Sequence, residues 1–283
     1  MMYLVIGATG NIGSRVTQRL IARGERPSVF VRSAKKATVL FADRVDIHAG
    51  DLETPRSSLA AALAGIEAVF LVSDGPDLAT RDRTVAFAAK FAEVRHVVKL
   101  STLDVHTGVG TGPWHARGEA AVRESGVAFT FIQAAGFMSN ALGWSDSIRK
   151  EGVLRSSTGK GKIAFIHPDD IADVATAALI TRDYDGQFLV ITGPEALSYG
   201  EMAATIGGAI GKRVRFEELS DKQAYAGVLG WAGKGPYADA LVDIWRAIRE
   251  RRLATVSDGV KQVIEREPMP FHRWAEENAD AFQ

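Results

Sequence analysis

The chain has 283 residues, with 34 Lys+Arg against 34 Asp+Glu and a formal net charge of +0. That balance lacks the positive excess that nucleic acid or an anionic membrane surface requires, so neither is expected as a partner. Cysteine is absent, which excludes disulfides, thiol nucleophiles and thiolate metal sites and fits a reducing, cytoplasmic location. Hydrophobic residues at 46 % can build a full core, and the length suits one large α/β domain or a nucleotide domain with an appended lobe. No signal peptide is expected before the first strand, and no apolar run approaches the roughly 20 residues of a membrane span.

The apolar run Met2-Tyr3-Leu4-Val5-Ile6 predicts a buried parallel strand, and Ile12, Val16, Leu20 and Ile21 give residues 11–23 helical spacing. Between them stands Gly7-Ala8-Thr9-Gly10-Asn11-Ile12-Gly13. Strand, glycine turn and helix in that order form the dinucleotide-binding fingerprint, here spaced G-x-x-G-x-x-G. One glycine permits the tight turn, one admits backbone to a pyrophosphate, and one lets helix and strand pack closely. The phosphates sit on the positive end of the helix. Strands are predicted next at 28–31, 45–48, 68–72, 96–100 and 128–132, with helices at 33–40, 57–63, 78–91 and 114–125. This alternation implies βαβ crossovers and a doubly wound parallel sheet.

Beyond about residue 133 the rhythm loosens. Helices are expected at 137–149, 169–180 (with Pro168 at its first turn) and 199–210, and strands at 162–166, 187–191 and 214–217. The stretch from 220 reads as mostly helical, ending in 271–282. Its glycine-rich bend at 227–235 is either a mobile cover or an ordinary connection between helices. The division expected is a dinucleotide-binding domain over 1–135 and a smaller α+β substrate lobe over 136–283, partly interleaved with the sheet.

The end of the second strand selects the cofactor. An acidic residue there holds a ribose 2′-hydroxyl, whereas an arginine accommodates a 2′-phosphate. Arg32 occupies the position, with Lys35 and Lys36 behind it and no Asp or Glu from 28 through 40. NADP(H) is therefore expected. Asp51 and Leu52 follow the third strand, where a carboxylate can accept from the adenine amino group and an apolar neighbour can cover the ring; a plain turn aspartate is the alternative. Ser73, Ser101 and Thr102 stand at the carboxyl edge of the sheet, where ligands of open α/β sheets bind.

The opening Leu4-Val5-Ile6-Gly7-Ala8-Thr9-Gly10-Asn11-Ile12-Gly13, Val31-Arg32-Ser33, Ala49-Gly50-Asp51-Leu52 and Lys99-Leu100-Ser101-Thr102 resemble the NmrA-like family. This family is a branch of the atypical short-chain dehydrogenases/reductases. Gly126-Val127-Ala128-Phe129-Thr130-Phe131-Ile132, Phe137-Met138-Ser139-Asn140 and Asp170-Ile171-Ala172-Asp173-Val174 extend the likeness to about residue 220. The resemblance implies a Rossmann domain with NADP at the glycine motif and a small C-terminal lobe forming a substrate cleft. Its members include quinone, triphenylmethane-dye and isoflavone-type reductases, and others are catalytically silent sensors of the nicotinamide pool. Two departures stand out. Ordinary short-chain dehydrogenases carry Tyr-x-x-x-Lys on the helix after the fifth strand, but no tyrosine lies between Tyr3 and Tyr184. Gln133-Ala134 replaces the family's common Arg-Pro.

The helix that should carry Tyr-x-x-x-Lys begins Trp114-His115-Ala116-Arg117-Gly118-Glu119. His115, where the family often has lysine or histidine, is the expected catalytic proton donor, with Ser101 and Thr102 next. Glu119, four residues on and on the same face, can orient the imidazole and raise its pKa toward neutrality; a surface His/Glu pair at the helix start is the alternative. Trp114, Phe137 and Asn140 are expected to contact substrate. His106 reads as an exposed loop residue and His167 as part of a helix start. No metal site is expected, since six histidines are scattered without ligand spacing. The expected function is hydride transfer from NADPH to an apolar conjugated or aromatic carbonyl or quinone-type compound. The alternative is a catalytically silent NADP(H)-sensing regulator. The sequence leaves monomer and homodimer both open.

Overall fold

The structure is a computed structural model that describes residues 2–53 and 56–283. Its first half alternates strictly: β1 (Tyr3–Ile6), α1 (Asn11–Ala22), β2 (Ser28–Val31), α2 (Ala34–Phe41), β3 (Asp46–Ala49), α3 (Arg56–Leu63) and β4 (Ala68–Leu71). Then come α4 (Leu78–Phe91), β5 (His96–Thr102), α5 (Gly112–Glu124) and β6 (Ala128–Ala134). The later elements are α6 (Ser145–Glu151), β7 (Val153–Ser156), β8 (Lys162–Ile163), α7 (Pro168–Ile180), β9 (Phe188–Ile191) and β10 (Leu197–Ser198). Last are α8 (Tyr199–Ala209), β11 (Arg215–Glu218), α9 (Asp221–Ala232), α10 (Pro236–Arg249), α11 (Gly259–Ile264) and α12 (Phe271–Glu277).

Seven strands form one sheet in the order β3-β2-β1-β4-β5-β6-β9. β2 with β3, β1 with β2, β1 with β4, and β4 with β5 all pair parallel. β1, β2 and β4 are buried at every position, which is why they read as continuous apolar runs rather than alternating ones. The order reverses between β1 and β4, so a crevice opens outside their carboxyl ends. Doubly wound folds bind their ligands at that point.

Two compact units divide the chain. The first holds Met1–Thr102, Trp114–Gln133 and Pro168–Leu189; the second holds Leu103–Pro113, Ala134–His167 and Val190–Gln283. The chain thus crosses between units more often than a single boundary near 135 allows. α7 goes to the first unit, where it packs on α1. Arg19 on α1 donates to Asp169 and Asp173 on α7, both at 2.9 Å. The first unit's core gathers Leu4, Val69, Leu71, Val85, Val97 and Phe131. The second unit's core is built on Met138, Leu154, Phe165, Met202, Ile248 and Trp274.

Differences from expectation lie in the second unit. The helix expected over 137–149 is a 3-10 turn over Met138–Trp144 followed by the short α6. The strand expected over 162–166 shortens to β8, paired antiparallel with β10, and Ile166 instead bridges to Phe137. β7 had no clear pattern of its own and is defined by parallel pairing with β11. The bend expected over 227–235 is mostly helix, since Gly227 and Gly230 lie inside α9 and only residues 233–235 turn. Among the described residues no helix is long and apolar enough to cross a membrane.

Candidate functional site

The glycine turn closes as its spacing requires. Gly7 has φ +79° and its carbonyl accepts from the Gly10 amide at 3.0 Å. A Cβ on Gly13 would lie 2.2 Å from that same carbonyl oxygen, and one on Gly10 would lie 3.2 Å from it. Helix α1 therefore starts pressed against the end of β1, a separation only glycine permits. Gly10 caps α1 with extended backbone and no side-chain bond, so the first-turn amides keep the positive helix end open to an anion. Thr9 is half-buried, Ile12 anchors the core, and Asn11 is exposed. The Asn11 Oδ1 accepts from Arg15 at 2.6 Å, and Arg15 also pairs with Asp169.

At the carboxyl end of β2, Arg32 is exposed and makes no ion pair or hydrogen bond among the described residues. Ser33 caps α2 by accepting from the Lys36 amide. Asp51, after β3, accepts from the Glu53 amide at 3.0 Å, an Asx turn that commits one of its oxygens. Leu52 packs on the edge of the first unit's core. These residues, the glycine turn, Ser73 beyond β4 and Ser101 and Thr102 at the end of β5 all lie at one edge of five adjacent parallel strands.

Two buried polar arrays occupy that edge of the first unit. In one, the Lys99 ammonium on β5 meets the Asp82 carboxylate of α4 at 2.8 Å, and both side chains are 0 % exposed. Lys99 Nζ also donates to the Leu100 carbonyl at 3.3 Å, and Ser73 donates to Asp82. A Cβ on Gly118 of α5 would lie 2.1 Å from Asp82 Oδ2, so α5 passes directly over the pair. In the other array, Ser101 Oγ donates to Glu119 Oε1 at 2.5 Å, and Gln133 Nε2 donates to the two Glu119 oxygens at 3.0 and 3.3 Å. All three residues are buried.

This geometry corrects the expected His115–Glu119 pair. The two share a helical face, but the carboxylate of Glu119 is taken by Ser101 and Gln133 rather than by the imidazole. Burial first, and the Lys99 ammonium second, push the His115 pKa down to about 3 instead of up toward neutrality. Its Nδ1 is buried without a hydrogen-bond partner. An imidazolium proton donor is therefore not available at neutral pH. Sequence reading missed Lys99, Asp82 and Gly118. The one signal was a lysine inside the apolar run His96-Val97-Val98-Lys99-Leu100, where a buried charge demands a partner.

The remaining expected residues separate by unit. Trp114, at the start of α5 in the first unit, is 8 % exposed. Phe137 and Asn140 belong to the second unit; Phe137 is half-buried in extended backbone and Asn140 is exposed on the 3-10 turn. His106 is exposed, as expected, and its loop is held within the second unit by the Gly110 amide donating to Asp243 at 2.8 Å. His167 is buried and contacts Glu277 at 3.0 Å. Among the described residues no group of three His, Asp or Glu side chains is placed to hold a metal.

A family model described as NAD(P)H-binding matches residues 7–182. The chain is 37 % identical to an NAD(P)H azoreductase of Xenophilus azovorans, with 99 % of each chain covered. It is 36 % identical to a (4-alkanoyl-5-oxo-2,5-dihydrofuran-3-yl)methyl phosphate reductase of Streptomyces griseus subsp. griseus, again over 99 % of both. Among solved structures it resembles an NADPH-dependent quinone oxidoreductase of Escherichia coli in complex with NADPH. That likeness has a TM-score of 0.88 and 25 % identity, covering 98 % of this chain and 99 % of the other.

Two outcomes follow from the buried arrays. In an NMR titration the His115 ring is expected to stay neutral from pH 8 to pH 5 and to move only near pH 3; a midpoint near 6.5 would contradict the geometry. The unfolded chain takes up this proton below about pH 6.5 and the folded chain does not, so His115 makes stability decline as pH falls from there toward 3. Gly118→Ala is expected to destabilise the protein in equilibrium denaturation. Alanine favours a helix interior by about 0.8–1.0 kcal/mol, but overpacking against a fixed ion pair costs about 1–3 kcal/mol.

Proposed function

The chain belongs to the NAD(P)H-binding family and is an NAD(P)H-dependent reductase, and we propose that it uses NADPH to reduce an apolar conjugated acceptor of quinone or azo type. When bound, the dihydronicotinamide supplies a hydride from C4. The chain's own residues fit such a group. Gly7, Gly10 and Gly13 clear the turn, and the uncapped amides around Thr9, Asn11 and Ile12 receive a pyrophosphate. Arg32, uncommitted and flanked by Lys35 and Lys36, meets a 2′-phosphate. Asp51 keeps one carboxylate oxygen for the adenine amino group, and Leu52 covers the ring. Ser73, Ser101 and Thr102 continue the line along the sheet edge. Trp114, at the start of α5, is the first unit's side chain proposed for the acceptor.

The choice of acceptor rests on one observation, the His115 Nδ1 buried without a hydrogen-bond partner, where burial and the Lys99 ammonium both disfavour the imidazolium. A plain ketone gains a localised alkoxide on reduction and needs a positioned acid. Neither a phenol nor an imidazolium stands at α5 to provide one. Quinones and azo compounds spread the charge they gain over a conjugated system, and solvent can protonate them. His115 then serves as a neutral imidazole beside the acceptor. The names of the azoreductase and quinone-oxidoreductase relatives agree with this class.

Screening NADPH oxidation against quinones, azo dyes, enones and simple ketones is expected to give turnover with the conjugated compounds only. His115→Ala should then lower kcat by less than about tenfold, below the 10²–10⁴ range of a true general acid. Tight NADPH binding with no turnover of any acceptor would instead favour a silent NADP(H)-sensing role. Arg32→Glu is expected to weaken NADPH binding by about one to two decades and leave NADH nearly unchanged, because a charged hydrogen bond of about 1.5–3 kcal/mol is lost. Equal wild-type affinities for the two cofactors in calorimetric titration would refute the assignment.

A further inference from the structure

Glu119 is a buried carboxyl group at which an amide and a hydroxyl converge and no cation sits within ion-pairing distance among the described residues. Gln133 can only donate through its Nε2, and it does so to both oxygens. A carboxylate is an acceptor on both oxygens. The second donor, Ser101, therefore has its single hydroxyl proton directed inward, at 2.5 Å. Once that proton is spent, the other face of Ser101 Oγ holds only lone pairs. Ser101 ends β5, two strands from the glycine turn on β1 and on the same carboxyl edge of the sheet.

We propose that Glu119 is a positioning residue that fixes the Ser101 hydroxyl as a hydrogen-bond acceptor toward an O–H or N–H donor on the nicotinamide half of the bound cofactor. This inference rests on the cofactor reading above and not on the identity of the acceptor. It gives Ser101 the opposite polarity from a proton donor. Gln133 takes part by locking the Glu119 carboxylate in plane, so that its Oε1 faces Ser101. The donor on the cofactor side is either a ribose hydroxyl or the carboxamide amine, and both present the same chemistry to a serine lone pair.

The test is a binding cycle on the full chain, read by calorimetry without any acceptor. The ligands are NADPH, 2′-phospho-ADP-ribose, which lacks the nicotinamide, and 2′,5′-ADP, which also lacks its ribose. Ser101→Ala and Glu119→Gln are each expected to weaken NADPH binding about two- to tenfold, the span of one neutral hydrogen bond. In the Ser101→Ala background, Glu119→Gln should cost no more than a further twofold. Affinity for 2′,5′-ADP should be unchanged in every variant. A loss shared by 2′-phospho-ADP-ribose assigns the donor to the ribose; a loss confined to NADPH assigns it to the carboxamide. Equal losses on 2′,5′-ADP, or additive losses in the double variant, would mean that Glu119 merely holds the fold together and would overturn the proposal. So would Ser101→Ala that keeps full NADPH affinity but loses kcat a hundredfold or more, since that is the mark of a proton donor. Should Glu119→Gln fail to fold, Ser101→Ala and Ser101→Thr decide alone, with threonine expected to restore the affinity that alanine loses. Failure of the wild type to bind 2′,5′-ADP at all would count against the cofactor reading instead.

Discussion

Lys99 stands on the interior strand β5 with its ammonium fully shielded from water, and Asp82 of α4 answers it at 2.8 Å. Withdrawing two such ions from water costs several kcal/mol each, and breaking the pair by removing one partner costs about 3–5 kcal/mol. The surroundings are arranged so that neither ion is left alone. Ser73 donates to Asp82, the Leu100 carbonyl takes a second ammonium proton, and Gly118 omits the one side-chain atom that would collide with the carboxylate. A glycine in mid-helix weakens α5 on its own account. Here it is the condition for laying that helix over a buried charge.

That charge adds to burial in shaping the groups around it. An ammonium beneath α5 opposes a second positive charge on His115, which burial already disfavours. A sheltered neutral imidazole cannot be the acid of an ordinary carbonyl reduction. Asp82 is taken by Lys99 and Glu119 by Ser101 and Gln133, and among the described residues no carboxylate offsets the effect on His115. The two arrays share β5 but keep separate partners, one balancing a cation and the other orienting a hydroxyl. Helix α1 presents the complementary end of the site. Its uncapped first turn, and the close approach to β1 that a Cβ on Gly13 would block at 2.2 Å from the Gly7 carbonyl oxygen, leave the helix end open to an anion, and preorganisation of that kind lowers the ordering cost of binding.

The sequence made the first unit's sheet legible because buried parallel strands and their crossover helices carry strong, separate patterns. Gly7, Gly10 and Gly13 likewise declared their roles, since each requirement is local. What escaped notice was nonlocal. His115 and Glu119 share a helical face, and spacing alone invited pairing them. Yet His115 lies within the influence of Lys99 on β5, and Glu119 bonds Ser101 on β5 and Gln133 on β6, neighbours that helical spacing does not reveal. In the second unit, β7 and β8 are short strands fixed by pairing with β11 and β10 rather than by their own composition. The 3-10 turn over Met138–Trp144 shares its apolar spacing with a regular helix, which is why 137–149 read as one element.

A reductase of this family faces a division of labour between holding a cofactor and finishing the proton chemistry. In this chain the first task is built into rigid elements. The glycine turn and the open helix terminus lie on the first unit's sheet edge, beside Arg32, the residue proposed for a 2′-phosphate. The second task has no dedicated side-chain acid at α5. Without a positioned acid, the barrier for localised oxyanions stays high while that for delocalised ones is little affected, since general acid catalysis contributes typically 10²–10⁴-fold where it is needed. The selectivity for conjugated acceptors proposed above rests on that difference. Burial first and the Lys99 ammonium second keep the His115 imidazole from holding a proton, so a basic side chain at this position works against both.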